Sequence, residues 1–301
     1  MKRGFMRSLL LVVAAFVFLF SSVMVFRYRL ELRTGAQFAE NIAQMVVASS
    51  ADYAAEETMY DSVGVAAQPL LENESPASGE APAVTEEEIF NDAPETVGGE
   101  AALASEARVV RVAPIQVDFD ALLAENPDVV AWLYCPDTPI NYPVVQAEDN
   151  DYYMHRLLDG SKSYPGTLFM DYRNTEDFSD WNSVIYGHNM RNDSMFGTLP
   201  DYKEKEYFET HPEIYLLTPQ RDYVIDVLAG FVTPNNSELY NSLRPEDAEK
   251  ESLLKDWLGV AGFAADEYPA MEDRMITLST CSYEYKNARY VLIGSLEELG
   301  I

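Results

Sequence analysis

Two apolar, β-branched runs near the C-terminus, residues 275–280 and 290–293, set the tightest limit on what this chain can become. Runs of this composition read as strands. A short polar segment separates them, so Cys281 ends one strand and Arg289 starts the next. If the strands pair, a thiol and a guanidinium face the same end of a sheet. A nearby cation lowers the cost of forming a thiolate, a strong nucleophile. It can also stabilise an oxyanion that develops during acyl transfer. The same spacing describes a buried cysteine beside a surface arginine, since free Cys is among the most buried residue types. Spacing alone leaves both readings open.

The string Thr277-Leu278-Ser279-Thr280-Cys281 continues as Ser282-Tyr283-Glu284-Tyr285 and is followed by Arg289 on an apolar strand. It resembles the active-site signature of the sortases, cysteine transpeptidases that attach surface proteins on Gram-positive bacteria. The Cys-x-Tyr-Glu continuation resembles class B in particular. Other stretches resemble class B too: Phe119 through Asn126 and Asp128 to Trp132, Ile140 to Gln146, Asp149 to Tyr153, Phe169 to Asn174, and Tyr186-Gly187-His188-Asn189. The resemblance runs from about Phe119 to Ile301. Cys135 departs from it, standing where an apolar residue is common.

Composition narrows the partners. Fifty acidic against 21 basic side chains give a formal charge of −29. That disfavours nucleic acid or anionic lipid as a partner of the soluble part. Only Cys135 and Cys281 occur, so no disulfide framework underlies the fold. No Cys/His cluster has zinc-ligand spacing, and no segment forms a recognisable calcium loop.

The N-terminus reads as an anchor. Residues 1–7 form a basic end with Lys2, Arg3 and Arg7, and residues 8–26 carry no charge. About 19 helical residues at 1.5 Å rise just cross a hydrocarbon core of roughly 30 Å. A cleaved signal peptide is the competing reading, but its apolar core is usually shorter and ends in a small-x-small site. Here the run ends Met24-Val25-Phe26-Arg27. An uncleaved single-pass signal-anchor with the N-terminus inside is expected, the domain lying outside the cell membrane. Residues 27–61 are juxtamembrane and predicted helical, with apolar periodicity in Phe38, Ile42, Met45 and Val46. Residues 62–107 are rich in Ala, Glu, Pro, Ser and Gly and contain no Lys or Arg. Such a stretch buries too little apolar surface to offset chain entropy, so it reads as an acidic disordered tether or, alternatively, a partner-binding segment.

Residues 108–301 form the predicted folded domain. A short helix is expected over 117–125, with Asp118 or Asp120 near its start. Strands are expected over 129–134, 142–145, 167–172, 183–186, 213–218, 223–231, 275–280 and 290–296, and turn signals between them suggest an all-β barrel or sandwich. A second helix is expected over 245–258, with Pro early, acids in its first turn, and Leu253, Leu254 and Trp257 on one side. The resemblance implies a mainly β fold: a closed eight-stranded sortase-type barrel with N-terminal helices, and a helix in the loop before the cysteine strand.

Of three histidines, His155 is expected on a helical or loop surface, and His211 precedes Pro212 in a polar loop. His188 follows an apolar strand in the Gly-His-Asn context where the family carries its catalytic histidine. The resemblance therefore implies Cys281 as nucleophile, His188 as general acid and base, and Arg289 as the group holding the oxyanion or peptide. His188 and Arg289 would bias the thiol towards thiolate, with His188 as imidazolium protonating the leaving amine. Asn150, Met154, Tyr186 and Ser279 match substrate-groove positions, while ordinary core or strand roles also fit Tyr186 and Ser279. The implied reaction is cleavage of a Thr-x bond in a C-terminal sorting signal through a thioester, then transfer to an amine of the peptidoglycan precursor or a pilin lysine. It needs no metal or organic cofactor. L,D-transpeptidases and papain-like peptidases pair the same groups but in other orders. A non-catalytic, membrane-tethered β-domain that binds wall proteins or polymer is the remaining alternative, with Cys281 inert or disulfide-linked to Cys135.

Overall fold

The computed structural model describes residues 13–27, 29, 42, 44–48, 111–265, 269–270 and 272–300. In chain order, β1 (Val46–Ala48) pairs antiparallel with β2 (Ile115–Val117). Helix α1 (Phe119–Glu125) follows, its first turn closed by the Asp118 carboxylate accepting from Ala121 N at 2.9 Å. Then come β3 (Val129–Tyr134), β4 (Asn141–Val145), β5 (Leu168–Met170), β6 (Asn182–Tyr186), α2 (Lys205–Thr210), β7 (Glu213–Leu217) and β8 (Asp222–Pro234). Helix α3 (Asp247–Gly259), β9 (Phe263–Ala264), β10 (Arg274–Cys281) and β11 (Ala288–Glu298) complete the order.

Eight strands close a barrel in the order β11–β10–β6–β5–β4–β3–β7–β8, with β8 pairing back onto β11. Short β9 hangs on β8 outside the ring. The β6–β10 and β4–β5 pairs are parallel. The eight expected apolar runs are these eight staves. Their ends shift because ladder partners recruit polar residues: β8 runs on to Pro234, where its far end pairs with β11.

Side-chain alternation sorts three apolar layers. Ile276, Leu278, Tyr290 and Leu292 fill the interior with Leu133, Ile185 and Ile225. Met275, Val291 and Ile293 point outward and pack beneath Leu254 and Trp257 of α3. That helix starts with a capping box between Glu246 and Glu249. Burying each large apolar side chain contributes about 1.5–3 kcal/mol, which outweighs α3's weak amphipathic pattern. A third layer gathers Leu122, Trp132, Val145 and Leu217 on the other outer face.

Three N-terminal expectations meet the structure differently. Residues 13–27 are helical, with exposed apolar side chains such as Phe16 and Phe18. Among the described residues, no helix is long and apolar enough to cross a membrane; residues 8–12 of the expected span lie outside them. The helix expected through the juxtamembrane stretch is interrupted, because residues 46–48 gain ladder partners on β2 and Ile42 is buried in the third layer. The basic end and the tether at 62–107 lie outside the described residues. Helix α2 went unpredicted, being six residues long and polar.

Candidate active site

The β10–β11 hairpin fixes two groups of the site. Cys281 stands directly opposite Arg289 in the antiparallel register. Opposed residues of a pair project from the same face, and the alternation above makes that face the barrel's outside. The turn closes with Ser282 N donating to Ala288 O at 3.0 Å, and Asn287 takes the left-handed conformation (φ 64°). Glu284 in this turn bonds Lys203 and Ser282, which pull its carboxyl down to about 2. Cys281 is free and half-buried. The half-buried Arg289 donates Nη1 to the Ala288 carbonyl at 3.1 Å and has no carboxylate partner among the described residues. Its charge is therefore left for an anion that arrives.

Strand β6 lies beside β10 in parallel, Tyr186 abreast of Ser279. Three bonds stitch the two strand ends together around His188. Gly187 N donates to Ser279 O at 3.1 Å, Thr280 Oγ1 to Gly187 O at 2.8 Å, and Asn189 Nδ2 to Cys281 O at 2.8 Å. Position 187 requires glycine, since an added Cβ would sit 2.5 Å from Leu168 and 2.6 Å from Phe196. The backbone thus brings His188 to the strand end that carries Cys281.

The His188 ring bonds the Pro165 carbonyl and is flanked by His155 and Tyr164, with ring centroids 5.1 and 5.7 Å away. Burial, reinforced by His155, pushes its pKa down to about 4. Such a shift favours the neutral imidazole at neutral pH. That direction runs against the resting imidazolium that the resemblance implies. His155 lies exposed in a short 3-10 helix, Tyr153–His155, on the kind of surface expected; its ring also packs against His188, and its Nδ1 lies 3.0 Å from the Tyr164 carbonyl. His211 caps α2 and stacks on Tyr207, at 4.1 Å between centroids.

The four groove candidates separate. Tyr186 and Asn150 both donate to Asp171 Oδ2, at 2.9 and 3.1 Å. Ser279 is buried, its hydroxyl 2.8 Å from that of Tyr240. Met154 is half-buried against the third apolar layer. Sequence reasoning missed Asp171, Arg173 and Tyr240, which tie these positions together. A signal existed for the first two, within the string Phe169-Met170-Asp171-Tyr172-Arg173-Asn174. Cys135 is also free and fully buried in the barrel, with its Sγ 3.7 Å from Tyr202 Oη. No disulfide links it to Cys281, and burial pushes its thiol pKa up.

Comparisons with known proteins agree on the family and the fold. A family profile described as a sortase domain matches residues 133–297. Sortase B of Listeria monocytogenes is 36% identical over 173 residues, 57% of this chain and 70% of that protein. The X-ray structure of Clostridium perfringens sortase B aligns with a TM-score of 0.56 at 30% identity, covering 60% of this chain and 99% of that one. A Staphylococcus aureus sortase B–substrate complex aligns at 0.57 and 26% identity, covering 60% of this chain and 85% of that one. The chain belongs to the sortase family. Within it the chain is of class B type, a cysteine transpeptidase of the kind that anchors proteins to the cell wall.

Proposed function

We propose that this chain cleaves a Thr-x bond in the C-terminal sorting signal of a surface protein and passes the acyl group, through a Cys281 thioester, to an amine of the cell wall or a pilin. The observation that carries the reading is Cys281 opposite Arg289 on an exposed strand end to which the His188 segment is hydrogen-bonded. A relative of the same fold has been solved as a sortase B–substrate complex, which supports substrate binding on this fold.

The downward shift of His188 favours a cycle that starts from a neutral imidazole. His188 takes the proton of Cys281 as the sulfur attacks the carbonyl carbon. The tetrahedral oxyanion forms beside Arg289, whose guanidinium lacks a competing carboxylate among the described residues. The carbon–nitrogen bond then breaks, and the imidazolium made in the first step protonates the departing amine. An incoming amine attacks the thioester, His188 accepts its proton, and that proton returns to the departing sulfur. Asn150, Met154, Tyr186 and Ser279 would shape the groove that holds the signal.

The domain works outside the cell membrane, tethered by residues 8–26 with the N-terminus inside. The charge-free run and the exposed apolar side chains over residues 13–27 support that placement. The test is mass spectrometry of products from a library of Thr-Gly and Thr-Asn peptides with candidate amines. A Cys281-linked acyl adduct and an amine-exchanged product are expected. Cleavage that continues unchanged in Cys281→Ala overturns the reading.

A further inference from the structure

Five hydrogen bonds end on one fully buried carboxylate, Asp171, just past β5. Its Oδ1 accepts from Arg173 N at 3.0 Å and from Arg173 Nε at 2.9 Å. Its Oδ2 accepts from Arg173 Nη2 at 2.9 Å, Tyr186 Oη at 2.9 Å and Asn150 Nδ2 at 3.1 Å. Burial alone would push this carboxyl's pKa up, but the bonds from Arg173 outweigh it and hold the group below the usual carboxylate range. The Asn150 side chain is returned to the same turn, its Oδ1 accepting from Tyr172 N at 3.0 Å.

Arg173 carries the connection onward. Its Nη2 donates to the Tyr240 carbonyl at 2.7 Å, and its Nη1 reaches Asn241 Oδ1 at 3.4 Å. Tyr240 stacks on Tyr186 with centroids 6.0 Å apart, and its hydroxyl meets Ser279. Ser279 precedes Cys281 by two residues on β10 and shares its outer-face parity about 7 Å along the strand, and Tyr186, abreast of Ser279, ends β6 two residues before His188. Five chain segments meet in this network; among the described residues none of its hydrogen bonds ends on the sulfur or the imidazole, although the Tyr240 hydroxyl interacts electrostatically with Arg289 and Cys281.

We propose that the Asp171–Arg173 pair is a positioning unit that sets the walls of the peptide groove, holding Asn150 and Tyr186 through the carboxylate and Tyr240 through the guanidinium. The inference rests on the transpeptidase reading. A carboxylate with two oxygens and a planar five-donor cation fix several directions at once, which neither a neutral amide nor an ammonium reproduces. The pair acts on peptide binding, not on the chemical step.

The test is steady-state cleavage of the peptide that the wild-type chain prefers from the Thr-Gly and Thr-Asn library, run on Arg173→Gln, Arg173→Lys and Asp171→Asn. In parallel, Cys281 is labelled with a small methanethiosulfonate reagent. Losing bonds to a charged group predicts KM up by about tenfold or more, kcat within about threefold, and labelling unchanged, with Arg173→Lys between Arg173→Gln and wild type. Tyr186→Phe, which removes one hydroxyl, keeps the test open should Asp171→Asn fail to fold; a rise of about threefold in KM is expected. Unchanged KM in folded variants overturns the proposal, as does a fall in kcat matched by slower labelling. A wild-type chain that forms no Cys281 adduct with any library peptide overturns the transpeptidase reading itself, a result distinct from either.

Discussion

The chain's two thiols sit in opposite surroundings. Cys135, just past β3, lies wholly inside the barrel, touching the Tyr202 hydroxyl at 3.7 Å, and burial raises its pKa. Cys281 ends a strand on the outer face, half-exposed, with Arg289 directly opposite. The side chain is the same; access and the neighbouring cation differ. A buried cysteine behaves as a small hydrophobe, whereas an accessible one beside a cation is available for nucleophilic chemistry. Environment, not residue type, divides structure from reaction here.

The largest way to break this contrast is to exchange each sulfur in turn. Cys281→Ala should lower peptide cleavage by about 10³-fold or more and abolish the acyl adduct seen by intact-mass measurement, while Cys135→Ser stays within about threefold of wild type. A large loss in a folded Cys135→Ser protein would show that the interior thiol takes part. Next in size is the cation. Arg289→Gln should reduce kcat/KM by about 10²–10³, the usual cost of losing one oxyanion donor, without changing the melting temperature appreciably. An equal loss in thermal stability would make the arginine a packing residue.

The interior thiol should answer to stability instead. Cys135→Ser places a more polar group in an apolar site and should destabilise by about 1–2 kcal/mol in urea titration. The smallest effect separates the His188 region from both cysteines. Its pKa is near 4 when folded, against an ordinary value of about 6.5, so the unfolded chain binds more protons between those values. The stability it contributes is present above about pH 6.5 and is lost as pH falls towards 4. Histidine NMR should find this ring uncharged at pH 6, and His188→Gln should flatten that part of the stability–pH curve. A ring already charged at pH 6 would refute the assignment.

Legibility in the sequence followed the range of each contact. That Cys281 and Arg289 would face one another was readable because they flank one hairpin, where pairing is local, but their roles needed the family resemblance. His188 required the family resemblance, because the Asn189–Cys281 bond spans 92 residues and depends on a parallel pairing that no spacing reveals. Asp171 and Tyr240 were missed for the same reason: their partners come from five segments, and each residue looks ordinary in its own. The surface placement of His155 was readable from its polar stretch, but only the tertiary fold lays its ring on His188. The burial of Ile42 and the β1–β2 pairing join a segment read as juxtamembrane to the folded unit.

The β8–β11 pairing seals the ring last in chain order, and β11 carries Arg289. A ribosome therefore delivers thiol, imidazole and guanidinium from separate stretches, and the guanidinium comes in the stave that completes the cylinder. Until β10 and β11 pair, the nascent polypeptide holds the sulfhydryl without the guanidinium that the finished hairpin sets opposite it.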